Sequence, residues 1–183
     1  MSDIGQIKDR TQILPTDLVA KCCRASIDSV AVAWPLIIKA LQDAGICSPL
    51  VQIAVAATVA VETGGTFRPI REKMAKPHTQ PDLYSRQMQY FPWIGRGYVQ
   101  ITWQSNYRLY GSLAGVDLIQ TPDMACDPVN AARVLAAFFR HNGIDKAAEA
   151  QDWRKVRKII NGGYNGWDAF NGCVCALLEA VGA

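Results

Sequence analysis

Residues 50–67 read LVQIAVAATVAVETGGTF, and this stretch decides the fold. From Leu50 to Glu62 the chain is apolar on nearly every side of a helix, which is typical of a helix buried at the centre of a domain. Ser48-Pro49 supplies an N-cap and a first-turn residue, and Gly64-Gly65 ends the helix. The apolar run is too short to span a bilayer. It therefore predicts a central core helix that ends in a carboxylate.

Helix start and stop signals predict further helices on both sides of this core helix. Their predicted bounds are Thr16 to about Arg24, Pro35 to Ala44, Trp103 to Leu113, Asp127-Pro128 to about Asn142, Trp153 to Ile160 with Asp152 as cap, and Trp167 to Val181. Between residues 64 and 100, frequent prolines and few periodic apolar residues indicate irregular structure or short hairpins. We predict one mainly α domain, 1–183, with a helical extension (1–30), a core (31–183), and a small irregular or β-hairpin lobe around 64–100.

Length and composition fit one globular domain, since the 183 residues are 50% hydrophobic and only 19% charged. The net charge of +3 is too small for a nucleic-acid-binding surface. The basic run Arg154-Lys155-Val156-Arg157-Lys158 is interpreted as a solvated helix face. Residues 1–5 lack the basic and apolar segments of an export signal. We therefore expect synthesis in the cytoplasm without stable membrane insertion.

Six cysteines lie at positions 22, 23, 47, 126, 173 and 175. Neither their spacing nor the placement of the two histidines matches a zinc site, so no metal and no organic cofactor is expected. Buried, reduced thiols that pack as small apolar groups are the favoured interpretation. Oxidation of some of them in an oxidising compartment stays open.

Glu62 and Glu72 are the candidate acid–base pair. Glu62 lies at the negative end of the core helix dipole and beside apolar residues, and both effects favour its protonated form. Glu72 lies between Arg71 and Lys73, whose charges favour the ionised form. Either residue alone also fits an ordinary solvated glutamate. Together, two carboxylates in unequal surroundings suit acid-catalysed glycoside cleavage.

Neutral hydrogen-bonding side chains near glycine-rich turns complete the candidate site. They are Gln100, Thr102, Asn106 and Asn161. Such groups suit sugar hydroxyl and acetamido groups, which pair with uncharged donors and acceptors. Nearby aromatic residues either offer apolar platforms for pyranose rings or pack in the core. These aromatic residues are Trp93, Tyr98, Trp103, Tyr107 and Tyr164.

Four motifs occur in a fixed order along most of the chain. They are Glu62-Thr63-Gly64-Gly65, Gly95 to Thr102 with the sequence GRGYVQIT, Asn106-Tyr107, and Ile160-Asn161-Gly162-Gly163. Their order and spacing, across about residues 30–168, resemble glycoside hydrolase family 19. That family contains chitinases and related bacteriophage endolysins with a lysozyme-like α fold. The compact size and the lack of an export signal resemble the endolysin type.

The resemblance implies roles for the matching positions. Glu62 matches the general acid, and Glu72 matches the second carboxylate of endolysin-type members. Thr102 matches a hydroxyl residue that helps to hold the attacking water, and Asn161 matches an asparagine that binds water and the substrate acetamido group. The other positions expected to bind substrate are Tyr98, Gln100, Asn106 and Gly162.

These expectations combine into an endolysin or muramidase-type glycoside hydrolase that cleaves the glycan strands of bacterial peptidoglycan, with inversion at the anomeric carbon. We expect a monomer, made in the host bacterial cytoplasm, that acts on the cell wall after release through the inner membrane. Three alternatives stay open. They are a chitinase acting on chitin oligomers, a lytic transglycosylase with one catalytic carboxylate, and a non-catalytic wall-binding module.

Overall fold

The structure, a computed structural model, describes residues 12–182. The helices are α1 Thr16–Cys22, α2 Ile27–Asp43, α3 Pro49–Glu62, α4 Pro81–Met88, α5 Gln104–Ala114, α6 Pro128–His141, α7 Ile144–Glu149, α8 Trp153–Asn161 and α9 Trp167–Val181. Strands β1 Ile70–Arg71 and β2 Arg96–Gly97 and a 3-10 helix, Pro122–Cys126, accompany them. The prediction of a mainly α domain is confirmed. Within residues 12–182 no single helix is both long and apolar enough to cross a bilayer, and α1 with α2 meets that test only as a pair bent by 120°.

The predicted core helix is confirmed as α3. The Ser48 hydroxyl caps it by accepting a hydrogen bond from the Val51 backbone N–H at 3.3 Å. All side chains from Val51 to Val59 are buried, and α3 packs against α7, α8 and α9. The buried Gln52 amide bonds with three backbone groups, so the polar residue in this run is satisfied. The packing of α3 in the core therefore fixes the position of Glu62 at the end of the helix.

Helix α2 begins at Ile27, so the predicted start at Pro35 is wrong. Pro35 lies inside the helix, where its missing N–H and the clash of its ring with the preceding turn together cost about 3 kcal/mol. Burial of an apolar stripe on both sides of the proline offsets this cost. The stripe consists of Val30, Ala33, Trp34, Ile37, Ile38, Ala40 and Leu41. Helix α2 also crosses the predicted boundary at residue 30, and residues 1–11 of the predicted extension lie outside the described residues.

The predicted irregular lobe around residues 64–100 is confirmed, and it also contains the unpredicted helix α4. Strands β1 and β2 pair in antiparallel orientation within it. The buried Arg96 guanidinium donates to the Tyr107 hydroxyl at 2.9 Å and to the Asp123 carboxylate at 2.8 Å. These bonds tie the lobe to α5 and to the 3-10 helix, because a ladder of two-residue strands contributes few backbone bonds of its own.

Cys23 and Cys173 form a disulfide that joins the end of α1 to α9. The expectation of reduced thiols is therefore wrong for this pair. The two cysteines are 150 residues apart in sequence, and the packing of α1 against α9 brings them together. The free cysteines are Cys22, Cys47, Cys126 and Cys175.

Candidate active site

Glu62 ends α3 and forms an ion pair with Arg157 of α8. The Arg157 Nη1 atom lies 2.6 Å from Glu62 Oε1. The Arg157 side chain is 2% exposed and that of Glu62 is 16% exposed, so the pair is largely shielded from water. Among the described residues no donor bonds Glu62 Oε2. One carboxylate oxygen is therefore fixed and the other is left unbonded.

Arg157 also holds the loop that follows α8. Its Nε atom donates to the Asn165 carbonyl at 2.8 Å, and its Nη2 atom donates to the same oxygen. Gly166 has a φ of +71°. A Cβ atom on Gly166 would lie 2.9 Å from Val61 Cγ1 and 3.2 Å from Arg157 Nη2. Glycine is therefore needed at this position for the loop to approach the end of α3.

The interpretation of residues 154–158 as a solvated helix face is wrong for Arg157, which is buried. Trp153, Val156, Arg157 and Ile160 recur at the i, i+3, i+4, i+7 spacing of one helix face. Arg157 therefore occupies an inward position among apolar residues. The spacing of Arg157 with these apolar residues is the sequence signal that this cation is buried. The prediction missed this signal because it used only the charge of the run.

The surroundings of Glu62 differ from the expected apolar site. Apolar α3 side chains lie behind the carboxylate, but the Arg157 guanidinium contacts it directly. An adjacent cation favours an ionised carboxylate, whereas desolvation and the helix dipole favour a protonated one. The sequence argument for a protonated acid therefore omitted a contribution of opposite sign.

Glu72 is half-buried in the lobe and accepts three hydrogen bonds. Gln87 Nε2 and the Tyr90 hydroxyl donate to Glu72 Oε1 at 2.8 and 3.1 Å. The Gly95 backbone N–H donates to Glu72 Oε2 at 2.9 Å. All three donors are uncharged, so dipoles rather than a cation orient this carboxylate.

The donors to Glu72 were not predicted from the sequence. Arg71, which was expected to favour the charged form of Glu72, instead pairs with Asp123 at 3.4 Å. Gln87 is buried on the unpredicted helix α4. Burial, followed by the neighbouring Glu72 carboxylate, raises the pKa of the Tyr90 hydroxyl. Tyr90 therefore remains a hydrogen-bond donor at pH values where a free tyrosine begins to ionise.

Gln100 lies beside Glu72 at the base of the hairpin. Its Nε2 atom donates to the carbonyls of Ile70 and Gly97 at 3.0 and 2.9 Å. A Cβ atom on Gly95 would lie 2.8 Å from Gln100 Oε1 and 3.4 Å from Glu72 Oε2. The absence of a side chain at position 95 thus allows Gln100 and Glu72 to lie close together, and Gln100 helps to hold the hairpin.

Thr102, Trp103 and Asn106 lie at the start of α5. The Asn106 Nδ2 atom donates to the carbonyl of the half-buried Thr102 at 2.8 Å, so Asn106 stabilises the turn. Trp103 has a φ of +72° and is 46% exposed. Its ring packs against Tyr90 with centroids 5.3 Å apart. An exposed aromatic surface therefore lies beside the residue that bonds Glu72.

Tyr98, which was predicted to bind substrate, lies in the core instead. The complete run 94–99 is buried, so Tyr98 does not lie at the surface. Burial raises the pKa of Tyr98 to about 12, and its hydroxyl has no hydrogen-bond partner among the described residues. Tyr107 is equally buried, and burial raises its pKa to about 12 as well. Neither ring offers a surface to a sugar.

Asn161 and Gly162 lie at the exposed end of α8. Asn161 follows Arg157 by four residues, about one turn further along α8, but it is exposed whereas Arg157 is buried. Gly162 ends the helix in the left-handed conformation, with a φ of +71°. Asn161 thus ends the helix whose Arg157 contacts Glu62.

Comparisons with known proteins link short segments of the chain to chitinases. No protein-family model matches the chain. It is 43% identical over 49 residues to chitinase 11 of Oryza sativa subsp. japonica and 32% identical over 71 residues to an endochitinase of Arabidopsis thaliana. These matches cover 26% and 39% of this chain but only 19% and 25% of the two plant proteins.

The fold is similar to that of a chitinase C mutant whose crystal structure is known. The similarity has a TM-score of 0.66 and covers 92% of this chain and 76% of the chitinase C chain. The sequence identity is 18%, so this likeness establishes the fold alone. The predicted α fold of chitinase and lysozyme type is therefore confirmed.

Proposed function

We propose that the protein is a glycoside hydrolase that cleaves the glycan strands of bacterial peptidoglycan, with Glu62 as general acid and Glu72 as general base. The observation that carries this proposal is the pair of half-buried carboxylates held by unlike partners, a cation for one and neutral donors for the other. A general acid and a general base on one fold are typically two carboxyl groups in unlike surroundings.

The ion pair supports an acid role for Glu62 through geometry. Arg157 bonds only Oε1, so a proton on Glu62 is carried by Oε2 while Oε1 continues to accept from the guanidinium. A protonated Glu62 thus keeps its orientation and directs its proton away from Arg157. The Glu62 proton is transferred to the leaving glycosidic oxygen as the sugar bond breaks.

The neutral donors support a base role for Glu72. An ionised carboxylate accepts hydrogen bonds at both oxygens, and here both oxygens receive them. The ionised form is the one that removes a proton from the attacking water. In this proposal Thr102 and Asn161 orient the water, and Asn161 and Gly162 bind the acetamido side of the substrate. The Trp103 ring, Gln100 and Asn106 form part of the cleft.

Inversion at the anomeric carbon is part of the proposal. An inverting enzyme places water between the carboxylate base and the sugar, with the two carboxyl groups roughly 6.5–9.5 Å apart, whereas a retaining enzyme needs about 5 Å. Proton NMR of the first reducing ends released distinguishes the two outcomes. A product with the α configuration from a β-linked strand supports inversion.

Peptidoglycan is proposed over chitin because Glu72 matches the second carboxylate of the endolysin-type members of the family that the motifs resemble. The corresponding biological proposal is a monomer made in the cytoplasm of a host bacterium that reaches the wall after release through the inner membrane. A chitinase is the second candidate, because the two plant proteins that share short segments with this chain are a chitinase and an endochitinase.

The decisive experiment measures reducing ends released by the wild type, Glu62→Gln and Glu72→Gln from purified peptidoglycan and from chitin oligomers. Acid–base catalysis predicts that each substitution lowers the rate by at least about a hundredfold. Glu179→Gln, an exposed glutamate of α9, is the matched control and should retain wild-type rates.

Three other outcomes identify the alternatives. Faster cleavage of chitin oligomers than of peptidoglycan indicates a chitinase. Full activity of Glu72→Gln with anhydro sugar ends in the mass spectrum indicates a lytic transglycosylase. Binding of peptidoglycan by the wild type without any release of reducing ends indicates a non-catalytic wall-binding module.

A further inference from the structure

The exposed side of α8 carries cations that the proposed chemistry does not use. Arg154, Lys155 and Lys158 are all exposed. Within residues 12–182 none of the three forms an ion pair, although Arg157 on the same helix does. Unpaired cations on one short helix give that surface a local positive potential.

Arg154 is held in place by aromatic rings. Its Cζ atom lies 4.9 Å from the ring centroid of Trp167 and 5.7 Å from that of Tyr164. The two rings contact each other edge to face, and Tyr164 is 47% exposed. Stacking occupies the face of a guanidinium and leaves its N–H edge free to bind a carboxylate. Arg154, Tyr164 and Trp167 are called the arginine–aromatic patch below.

The arginine–aromatic patch is connected directly to the candidate active site. Arg154 lies three residues before Arg157, so the two Cβ atoms are about one helical turn apart. Arg157 bonds both Glu62 and the carbonyl of Asn165, the residue that follows Tyr164. The patch is therefore built on the same loop that adjoins the Glu62 carboxylate.

The charge of the patch discriminates between the two glycan polymers. Chitin is an uncharged polymer of N-acetylglucosamine. Peptidoglycan strands carry stem peptides, which have free carboxylates at their C-termini and on side chains. We infer that the arginine–aromatic patch binds a stem-peptide carboxylate of a peptidoglycan strand, with Arg154 as the residue that favours this substrate over chitin. The inference rests on the proposed function, because it places a glycan strand across the Glu62 site.

The test compares peptidoglycan with the same strands after an amidase has removed their stem peptides, both free of teichoic acid. The lactyl carboxylates that this hydrolysis leaves on the strands are coupled to methylamine, so that the peptide-free strands are uncharged. The variant is Arg154→Gln, and the matched control is Arg133→Gln, an exposed arginine on α6 away from the patch. The first readout is binding, measured by co-sedimentation with insoluble strands at low and high salt. The second readout is kcat/KM for release of reducing ends. Binding requires no catalysis, so it tests the patch even if the protein has no hydrolase activity.

We expect Arg154→Gln to weaken binding and kcat/KM on peptide-bearing strands by about fivefold at low salt, the effect of one exposed charge pair. The difference should shrink as salt screens the interaction. On peptide-free strands and with Arg133→Gln, both quantities should stay at wild-type values. Equal losses on both kinds of strand, or no loss on peptide-bearing strands, would overturn the inference. Normal peptide-dependent binding combined with undiminished activity of Glu62→Gln would instead overturn the proposed function.

Discussion

Glu62 and Glu72 differ in what holds their carboxylates. Glu62 contacts a buried cation on α8, whereas Glu72 accepts bonds from Gln87, Tyr90 and a backbone N–H of its own lobe. Removing the partner of Glu62 leaves a shielded carboxyl oxygen without its donor. Removing one partner of Glu72 leaves two others in place. The comparison therefore predicts that loss of the partner of Glu62 lowers the free energy of unfolding strongly. Loss of one partner of Glu72 should lower it less.

The largest expected effect is that of Arg157→Met, which breaks the ion pair while keeping an apolar side chain of similar length. Loss of the cation leaves the Glu62 carboxylate and the Asn165 carbonyl without their donors. We expect the free energy of unfolding to fall by about 3–5 kcal/mol, the usual effect of breaking a buried pair. Urea denaturation at pH 7 measures this change.

Two further variants sharpen this test. Arg133→Met, an exposed control, should change the free energy of unfolding by less than about 0.5 kcal/mol. The double variant Arg157→Met with Glu62→Gln removes both charges and should recover part of the loss. A loss below about 1 kcal/mol in Arg157→Met alone would show that the pair is not important for stability.

The second prediction concerns alkaline pH and the side of Glu72. The segment after β2 is anchored by buried tyrosines, and burial raises the pKa values of Tyr98 and Tyr107 to about 12. Between pH 10 and 12 these tyrosines ionise in the unfolded chain but remain largely protonated in the folded chain until the pH approaches 12. The unfolded state then binds fewer protons, so stability falls as the pH rises, by about 2.3 kcal/mol for each tyrosine at pH 12.

Tyr98→Phe tests the alkaline prediction. Its slope of stability against pH above pH 10 should be smaller than that of the wild type in urea denaturation. At pH 7 the variant should be as stable as the wild type, because the removed hydroxyl has no partner among the described residues. An unchanged alkaline slope would contradict the proposed cause.

The smallest expected effect is that of Gln87→Leu on the lobe. Gln87 donates to Glu72 Oε1 and accepts from the Ala75 N–H at 2.6 Å, so the substitution leaves a buried donor and a carboxylate oxygen less satisfied. We expect a loss of about 1–3 kcal/mol, with faster amide hydrogen exchange in the lobe and unchanged exchange in α3. Gln89→Leu, an exposed neighbour, is the control and should not change either quantity. Equal acceleration in α3 would mean that the lobe is not an independent unit.

Features set by local sequence were predictable. The apolar run of α3 and the caps Ser48, Asp127 and Asp152 mark their helices correctly, because a cap bonds backbone groups only a few residues away. Pro35 misled the prediction, because buried contacts along α2 outweigh the helix-breaking tendency of one proline. The prolines and glycines between 64 and 100 located the lobe, but they gave no signal for α4.

Features set by tertiary contacts were not predictable in the same way. Glu62 and Glu72 were found from their residue type and spacing, yet their partners Arg157 and Gln87 come from elements that pack only in the folded chain. The disulfide between Cys23 and Cys173 has the same origin. Tyr98 was assigned to the site from its position in a motif, whereas the burial of the run 94–99 arises only from tertiary packing.

The partners of the two carboxylates also differ in how far they lie along the chain. Glu62 and Arg157 are 95 residues apart, whereas the donors to Glu72 lie 15, 18 and 23 residues from it. Closing the longer loop costs about 1.3 kcal/mol more chain entropy than closing a 23-residue loop. During refolding the surroundings of Glu72 are therefore expected to form before those of Glu62. The docking of α8 onto α3 is then the last step in the refolding of the complete site.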